Sequence, residues 1–496
     1  MMSDRPNILF ILTDQHRLSG LGCYEPNTPC QTPHLDRLAR EGILFQNAYT
    51  PCPVCTPTRA SILTGEFPHT HGMRGNVSCH NIDSQIMRCR DDTLAYRLGR
   101  LGYSCGYNGK WHMGVETRQA TTDIIYPGFL PSSTGFEGYD YPGHGGGGHG
   151  YPDYKRFLQE NGWSHEVIKD RPIAEELSDR GYGRITGPLE STIPYYLGTH
   201  TIQLMEDFRS RRKPWFIWHS FWGPHEPYYA TGEFLDIYRN VSIPPWDTFS
   251  SEFAQMDMPH AAKRVQHYER IAWYHWEELL RHYYAFVTLI DHQIGRLIEY
   301  LEESGQKENT VLVFAADHGE TLGSHAGLSD KGWHHFEEIQ RVPLILWLPE
   351  TLRFENMKNG QRVDSLVSLC DLFPTFLDLA GEEKDRIGSQ GSSLLPLVED
   401  PECAWRDAVA CEFWALAGVY TNMVSIRKGQ FKYGWNGDAS DELYDLQEDP
   451  NERSNLIQSR SHRDVLQRLR QRMLQWMDET DMPSPIRKHF LQTSRD

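Results

Sequence analysis

The stretch RPNILFILTDQ, residues 5–15, carries an apolar run over 6–13 that ends at Asp14. Runs of this kind are typical of a strand that is buried on both faces of a parallel sheet. Similar apolar runs occur at 215–221 and 310–316, and polar residues follow each of them closely. The repetition predicts a sheet of buried strands with a polar edge.

A further strand is predicted at 103–108, and Lys110 and His112 follow it. Ligands of open parallel sheets gather outside the carboxyl ends of the strands. Side chains that are distant in sequence are therefore expected to converge at that edge of the sheet. The residues that follow predicted strands in this way are Asp14, Lys110, His112, His225, Asp317 and His318.

Helical patterns lie between the strands. They are found at 35–39, 93–102, 275–303 and 365–380, and one more strand is predicted at 342–348. This alternation predicts an α/β fold with a large, mainly parallel sheet between layers of helices, in residues 1–382. Residues 383–496 begin with a polar stretch and contain short strand-like pieces and a charged terminal helix. They predict a smaller α+β domain with an antiparallel sheet.

The composition narrows the possible partners. The chain has 496 residues and a formal net charge of -18, which disfavours nucleic acid and long polyanions and favours a small substrate. No apolar run is long enough to span a membrane, and the first residues lack the features of a secretory signal. Ten scattered cysteines fit reduced thiols better than a disulfide framework. We therefore expect a cytoplasmic protein without membrane or nucleic-acid partners.

The segment CTPTRASILTG, residues 55–65, is the strongest local signal. Pro57 suits the first turn of a helix and Gly65 its end. Cys55 would then lie at a helix N-terminus, where an anion is favoured, with Arg59 one turn further along. Cys55 alone could also be a buried thiol, or form a redox or zinc site with Cys52. The sequence offers no second CxxC pair for zinc, so packing is the simpler interpretation of Cys52.

Together with its neighbours, this segment resembles the sulfatase family of the alkaline phosphatase superfamily. Cys55-Thr-Pro-Thr-Arg59 matches the family signature C-x-P-x-R, and the resemblance continues over nearly the whole chain. The other matching segments are RPNILFILTDQ, GKWHMG, GPHEP, AADHGETLGSH and ELYDLQEDPNERSNL. The resemblance implies an alkaline-phosphatase-like fold. It also implies that a formylglycine-generating enzyme oxidises Cys55 to formylglycine (3-oxoalanine).

The resemblance also implies one divalent metal ion. Its ligands would be formylglycine 55 and the side chains of Asp14, Gln15, Asp317 and His318. Many family members have a second aspartate at the position of Gln15 and an asparagine at that of His318, which suits calcium. The imidazole and the missing carboxylate make manganese a close alternative here. Without the resemblance, Asp14 could simply cap a turn, and Asp317 with His318 could form a surface hydrogen bond.

The family pattern places Lys110, His112, His225 and Lys331 around the substrate, and Asn76 is a further candidate hydrogen-bond donor. In the implied mechanism, hydrated formylglycine attacks the sulfur of a sulfate ester while Arg59 holds the diol. His225, with Lys331, stabilises or protonates the leaving alcohol, and a covalent sulfo-enzyme forms. His112 then takes a proton from the remaining hydroxyl, and sulfate leaves by elimination.

Two alternative functions stay open. Gln15 and His318 also fit a phosphonate monoester hydrolase or phosphodiesterase on the same scaffold, whereas Lys110 and His112 favour a sulfatase. Activity on both ester types is expected. The other alternative is a non-catalytic anion-binding protein with an unmodified Cys55.

Two further segments suggest properties beyond this site. The glycine-rich segment GHGGGGHG, residues 143–150, is typical of a flexible surface loop. The less favoured interpretation is a flap that brings His144 or His149 to the substrate. Aromatic residues in 268–284, taken as exposed, favour a homo-oligomer interface.

Overall fold

The structure is a computed structural model of the chain. It describes residues 5–77, 87, 90–114, 117–118, 124–125, 129–169, 171, 173–249, 268–383 and 387–494. No helix among these residues is long and apolar enough to cross a membrane.

A large sheet forms the centre of the molecule. In spatial order its strands are Arg341–Val342, Ile43–Tyr49, Leu344–Trp347, Thr310–Ala316, Asn7–Asp14, Trp215–Pro224, Ser104–Gly109 and Glu137–Gly138. Another strand, Gln361–Ser368, pairs in parallel with Ile43–Tyr49. The pairings around Asn7–Asp14 are parallel, and those of Leu344–Trp347 are antiparallel. The predicted large, mainly parallel sheet is therefore confirmed.

The central strand Asn7–Asp14 is buried along its whole length. Alternate side chains point to opposite faces of a strand, and here both faces are covered. Leu9 and Ile11 belong to one apolar cluster with the long helix Trp273–Glu303, while Phe10 belongs to a second cluster on the other face. A continuous apolar run is what such a doubly covered strand requires.

Helices form the layers on the two faces of this sheet. The principal ones are Pro33–Glu41, Cys55–Thr64, Leu94–Arg100, Pro152–Glu160, Ile193–Ser210, Gly232–Tyr238, Trp273–Glu303 and Leu372–Leu379. The C-terminal part adds the helices Leu395–Glu399, Arg463–Glu479 and Ser484–Thr493.

A second, antiparallel sheet follows near the C-terminus, as predicted. Its strands are Ala408–Leu416, Val419–Lys428, Phe431–Asn436 and Glu442–Asp445. Helix Arg463–Glu479 packs against it through Leu466, Leu469 and Met473. The same apolar cluster includes Phe67 and Cys370, which belong to the larger part of the chain. The division at residue 382 stays a prediction.

Two element predictions were wrong in detail. The predicted helix at 365–380 begins as the strand Gln361–Ser368, and only Leu372–Leu379 is α-helical. Ser368 and Asp371 form a capping box that starts a new helical segment there. The predicted strand at 342–348 is divided at Pro343, which cannot donate a backbone hydrogen bond.

The aromatic residues of 268–284 do not form the exposed patch that we expected. Tyr268, Trp276, Tyr283 and Tyr284 are all buried in the chain's own core. Only Tyr274 among the large hydrophobic residues of that segment is exposed. These four residues therefore do not form the homo-oligomer interface that we expected, since their apolar surface is already covered.

Candidate active site

The polar side chains that follow the central strands lie side by side. Backbone hydrogen bonds align the strand ends: His225 N–H donates to the carbonyl of Asp14 (3.0 Å), and Asp317 N–H to that of Thr13 (3.1 Å). Lys110 N–H likewise donates to the carbonyl of Ser220 (3.0 Å). Carboxyl ends of neighbouring parallel strands share one edge of a sheet, which explains why residues distant in sequence meet here.

Cys55 is the first residue of the helix Cys55–Thr64, which ends at Gly65 in a left-handed conformation. The side chain is fully buried. Its Sγ lies 3.3 Å from Nε2 of His318, 3.5 Å from Nζ of Lys110 and 3.9 Å from Oδ1 of Asp14. Asn76 lies at the same helix start, where its Oδ1 accepts a hydrogen bond from Thr56 N–H (3.2 Å).

The surroundings of Cys55 favour an anion. Burial and the charge of Asp14 raise the pKa of the thiol, but Lys110, Lys331 and His318 outweigh them and bring it down to about 5. The position therefore suits a nucleophile or a negatively charged substrate.

Arg59 joins the two strands that carry the acidic residues. Its Nη2 lies 2.9 Å from Oδ2 of Asp14 and 2.9 Å from Oδ2 of Asp317. Its Nη1 donates to Ser220 Oγ (2.6 Å) and to the carbonyl of Lys110 (2.7 Å). A fully buried guanidinium with these partners fixes the carboxylates instead of facing solvent.

Four side chains form a group that can hold a cation. Ligand atoms of Asp14, Cys55, Asp317 and His318 all lie within 4.8 Å of one another, and all four residues are buried. Nδ1 of His318 donates to the carbonyl of Gly319 (3.0 Å), so Nε2 is the nitrogen that can bind a cation once the ring is neutral. Against the effect of burial, Asp317 raises the pKa of His318, so the ring would give up a proton when a cation binds. That hydrogen bond is typical of a metal-ligating histidine, and the donor set fits a divalent ion.

Gln15 has another partner in this structure. Its Oε1 accepts a hydrogen bond from Nζ of Lys331 (2.5 Å), and its Nε2 donates to Glu320. A metal ion at this amide would therefore compete with Lys331. Gln15 has a positive φ of 60, and its N–H donates to Oδ1 of Asp317 (3.1 Å).

Two more histidines, His225 and His112, lie close to the group that can hold a cation. Nδ1 of His225 donates to the carbonyl of Glu226 (2.9 Å), which leaves Nε2 as the acceptor of the neutral ring. Burial, with Lys331 and Lys110, lowers the pKa of His225 to about 3. Burial and Lys110 also hold the pKa of His112 well below its ordinary value. Both rings are therefore neutral in the free protein.

Three residues at this site were not among the predicted site residues. His144 lies beside His112 and His225, with ring centroids 5.1 and 4.7 Å away. The less favoured interpretation of the segment 143–150 required this position. Ser220 and Glu320 contact Arg59 and Gln15, but nothing in their local sequence separates them from ordinary polar residues.

The packing interpretation of Cys52 agrees with its surroundings. Cys52 is fully buried and belongs to an apolar cluster with Val54, Trp333 and Phe413. Every cysteine that the structure describes is free.

Comparisons with known proteins find relatives over nearly the whole chain. The model of the Sulfatase family matches residues 6–382, and that of the N-sulphoglucosamine sulphohydrolase C-terminal region matches residues 323–479. The chain is 28% identical to an N-acetylglucosamine-6-O-sulfatase of Bacteroides thetaiotaomicron, covering 96% of this chain and 87% of that protein. It is 29% identical to an arylsulfatase of Clostridium perfringens, covering 96% and 95%.

The fold is shared with a solved structure. The crystal structure of the phosphonate monoester hydrolase of Agrobacterium radiobacter has a TM-score of 0.78 at 23% identity, and 96% of both chains is covered. The family match covers most of the present chain and includes the strands that carry its acidic residues. The chain belongs to the sulfatase family of sulfuric ester hydrolases.

Proposed function

We propose that this protein hydrolyses small sulfate esters, with Cys55 converted to formylglycine as the nucleophile beside one divalent cation. The observation that carries the proposal is the position of Cys55. It begins a helix and lies in a buried group with Asp14, Asp317 and His318, while Lys110 faces the same atom. The hydrate of formylglycine would supply one hydroxyl as the nucleophile. Loss of the proton from its second hydroxyl would re-form the aldehyde and break the C–O bond to the sulfate group, which leaves.

Asp14, Asp317 and His318 would hold the cation together with residue 55. When bound, the cation supplies a Lewis acid that withdraws electron density from oxygen atoms. Calcium is the family's usual ion, and the imidazole of His318 makes manganese the alternative. Metal analysis of the purified protein distinguishes the two.

The chain's own residues supply the remaining chemistry. Lys110 and Lys331 provide buried positive charge for the anionic sulfate group. Arg59 keeps the two carboxylates in place through its paired contacts. The neutral rings of His112 and His225 can each take a proton, His225 at Nε2, and an ester anion beside either ring would raise its pKa and favour the protonated form. His225 would then donate to the leaving alcohol.

A second candidate function is the hydrolysis of phosphodiesters or phosphonate monoesters. The imidazole of His318 in the cation-binding group favours it, because a phosphodiester or phosphonate monoester concentrates its single negative charge on two non-bridging oxygens, whereas a sulfate ester spreads it over three, and a site with fewer carboxylates repels that charge less. Lys110 beside Cys55 favours the sulfatase.

The test uses protein produced together with a formylglycine-generating enzyme. Mass analysis of the peptide that contains residue 55 should show the aldehyde, and Cys55→Ala should abolish turnover of an aryl sulfate. Cys23→Ala, at a partly buried cysteine paired with Asp36 through its backbone, is the matched control. A retained thiol in active enzyme, or turnover by Cys55→Ala, contradicts the proposal. Rates on a phosphodiester and a phenylphosphonate ester that exceed the sulfatase rate would favour the second function.

A further inference from the structure

The segment 143–150 is folded against the active site. Gly150 N–H donates to the carbonyl of Gly145 (3.0 Å), and Tyr151 OH donates to that of Gly143 (2.8 Å). Gly148 packs on the ring of Trp222, where an added Cβ would lie 2.9 Å from Cε3. These contacts hold the loop in one path over the site. The composition alone would suit a flexible linker equally well.

Within this loop, His144 is the residue whose side chain lies at the active site. Its ring lies between those of His112 and His225, at 5.1 and 4.7 Å between centroids. Its Nδ1 accepts a hydrogen bond from Gly147 N–H (3.4 Å). The proton of the neutral ring therefore lies on Nε2, which makes Nε2 a donor.

This donor is unused by the protein. Nε2 of His144 is buried and has no hydrogen-bond partner among the residues that the structure describes. The same holds for Nδ1 of the neighbouring His112. Buried polar groups are nearly always paired, so two unpaired ring nitrogens on adjacent rings near Lys110 indicate a place for a polar ligand.

The electrostatics favour an anionic oxygen as that ligand. Burial, followed by the positive charge of Lys110, holds the pKa of His144 well below its ordinary value, so the ring stays neutral. Among the charged groups, Lys110 lowers the pKa of His144 most. Both residues would contact the same ligand. A second metal ion fits less well. Among the described residues, only Asp14, Cys55, Asp317 and His318 form a group of three or more His, Cys, Asp or Glu side chains whose metal-binding atoms all lie within 4.8 Å of one another.

We propose that His144 is a substrate-binding residue whose Nε2–H donates a hydrogen bond to a non-bridging oxygen of the sulfate group, beside Lys110. This inference rests on the proposed sulfatase function and extends it by one residue. Because the same oxygen is present in the product, His144 also binds free sulfate. The loop 143–150 therefore contributes to recognition of the anion itself, and not only to the organic part of the substrate.

Two substitutions separate this role from a structural one. In His144→Asn the amide can replace Nδ1 and keep the bond from Gly147, but the donor at the position of Nε2 is lost. In His144→Gln the amide nitrogen reaches the position of Nε2, and the bond from Gly147 is lost instead. His165→Gln is the control, since His165 is half-buried and packs on His149 and Tyr154 away from Cys55.

The expected result is a fall of about 100-fold in kcat/KM on an aryl sulfate for His144→Asn, with a weaker inhibition constant for inorganic sulfate. His144→Gln should retain most of both, and His165→Gln should match the wild type. Unchanged sulfate inhibition in His144→Asn, equal losses in both His144 variants, or a greater loss in His144→Gln would overturn the proposal.

Measuring sulfate binding directly tests the role of His144 separately from the proposed sulfatase activity. Formylglycine and metal content are determined for each variant, and sulfate binding is measured by calorimetry as well as by inhibition. If the wild type has no sulfatase activity, the proposed function fails, but calorimetry still reports whether His144→Asn weakens sulfate binding relative to the wild type and His144→Gln. Equal sulfate binding by all three, or none by the wild type, counts against His144.

Discussion

Nζ of Lys110 lies 2.5 Å from Oδ2 of Asp14, and both side chains are fully buried. Asp14 ends the strand Asn7–Asp14, and Lys110 directly follows Ser104–Gly109; Trp215–Pro224 lies between these two strands in the sheet. The ion pair therefore joins the predicted substrate-binding lysine to a predicted metal ligand across one intervening strand. The positive charge of Lys110 contributes to holding the pKa of Asp14 well below its ordinary value, against the opposing effect of burial. Asp14 is therefore ionised and available as a ligand at neutral pH.

Replacing Lys110 by methionine should impair both stability and activity. Lys110 is one of two buried cationic partners of Asp14, and Arg59 remains as the other, so the loss of stability should stay below the about 3–5 kcal/mol that a wholly unpaired buried charge costs. Loss of a cation that faces the developing negative charge should lower kcat by about 100- to 1000-fold. Urea denaturation and aryl sulfate kinetics measure the two effects.

Lys428→Met is the matched control for this substitution. Lys428 lies 2.6 Å from Oδ2 of Asp407, but both side chains are about half exposed. Exposed pairs of this kind contribute about 0–1 kcal/mol, so stability and activity should change little. Equal effects of the two substitutions would contradict the importance of the buried pair.

The positions of Asp14 and Asp317 could be predicted from the sequence because each follows an uninterrupted apolar run, and that of Lys110 because it follows the short strand predicted at 103–108. Such runs specify buried parallel strands, and the topology then brings their carboxyl ends together. Cys55 could be placed because Pro57 and Gly65 mark the two ends of one short helix.

His144 could not be placed in the same way. Consecutive glycines restrict the backbone so little that the sequence does not distinguish a linker from a loop packed on Trp222. The strand at 361–368 was missed because Val363, Leu366 and Val367 also fit a helical spacing, and their pairing with Ile43–Tyr49 is a long-range contact.

Removing divalent cations should abolish turnover and lower the unfolding midpoint. A cation that binds only the folded protein stabilises it by about 2.7 kcal/mol at 100 times its Kd. The midpoint should therefore rise with added calcium or manganese, and His318→Ala should shift this rise to higher concentrations. The measurement is thermal unfolding at several metal concentrations, with metal content checked by elemental analysis. Full activity in verified metal-free protein would contradict the assignment of the site.

The free energy of unfolding should fall as the pH is lowered from 6.5, because His219 is protonated only in the unfolded chain. Burial lowers its pKa from 6.5 to about 3, so the unfolded chain binds a proton in that interval and the folded chain does not. The stability that this group contributes is present above pH 6.5 and is lost as the pH falls toward 3. The slope for one proton is about 1.4 kcal/mol per pH unit.

Replacing His219 by phenylalanine tests this pH dependence. The new ring can keep the packing on Phe221, whose centroid lies 4.2 Å away, and Thr201 keeps its hydrogen bond from Asn108 (2.8 Å). Urea midpoints measured from pH 7 to pH 4.5 should fall less steeply for His219→Phe than for the wild type. Parallel curves would show that His219 does not titrate as its burial implies.

Adding one methyl group to the loop 143–150 should affect activity only where the loop meets the protein. Gly148 has a φ of +86, and a Cβ there would approach the ring of Trp222 to 2.9 Å. Gly148→Ala must displace the loop and with it His144, so kcat/KM on an aryl sulfate should fall by about 10-fold or more, as expected when a binding group is misplaced.

Gly146→Ala is the control for this substitution. Gly146 also has a positive φ, +58, but a Cβ there would meet no atom within 4 Å. Gly146→Ala therefore carries the strain of a left-handed residue, which is smaller at +58 than at +86, without the clash, and it should retain most of the activity. If both substitutions reduce kcat/KM equally, backbone strain is sufficient to explain the loss, and the contact with Trp222 does not position His144.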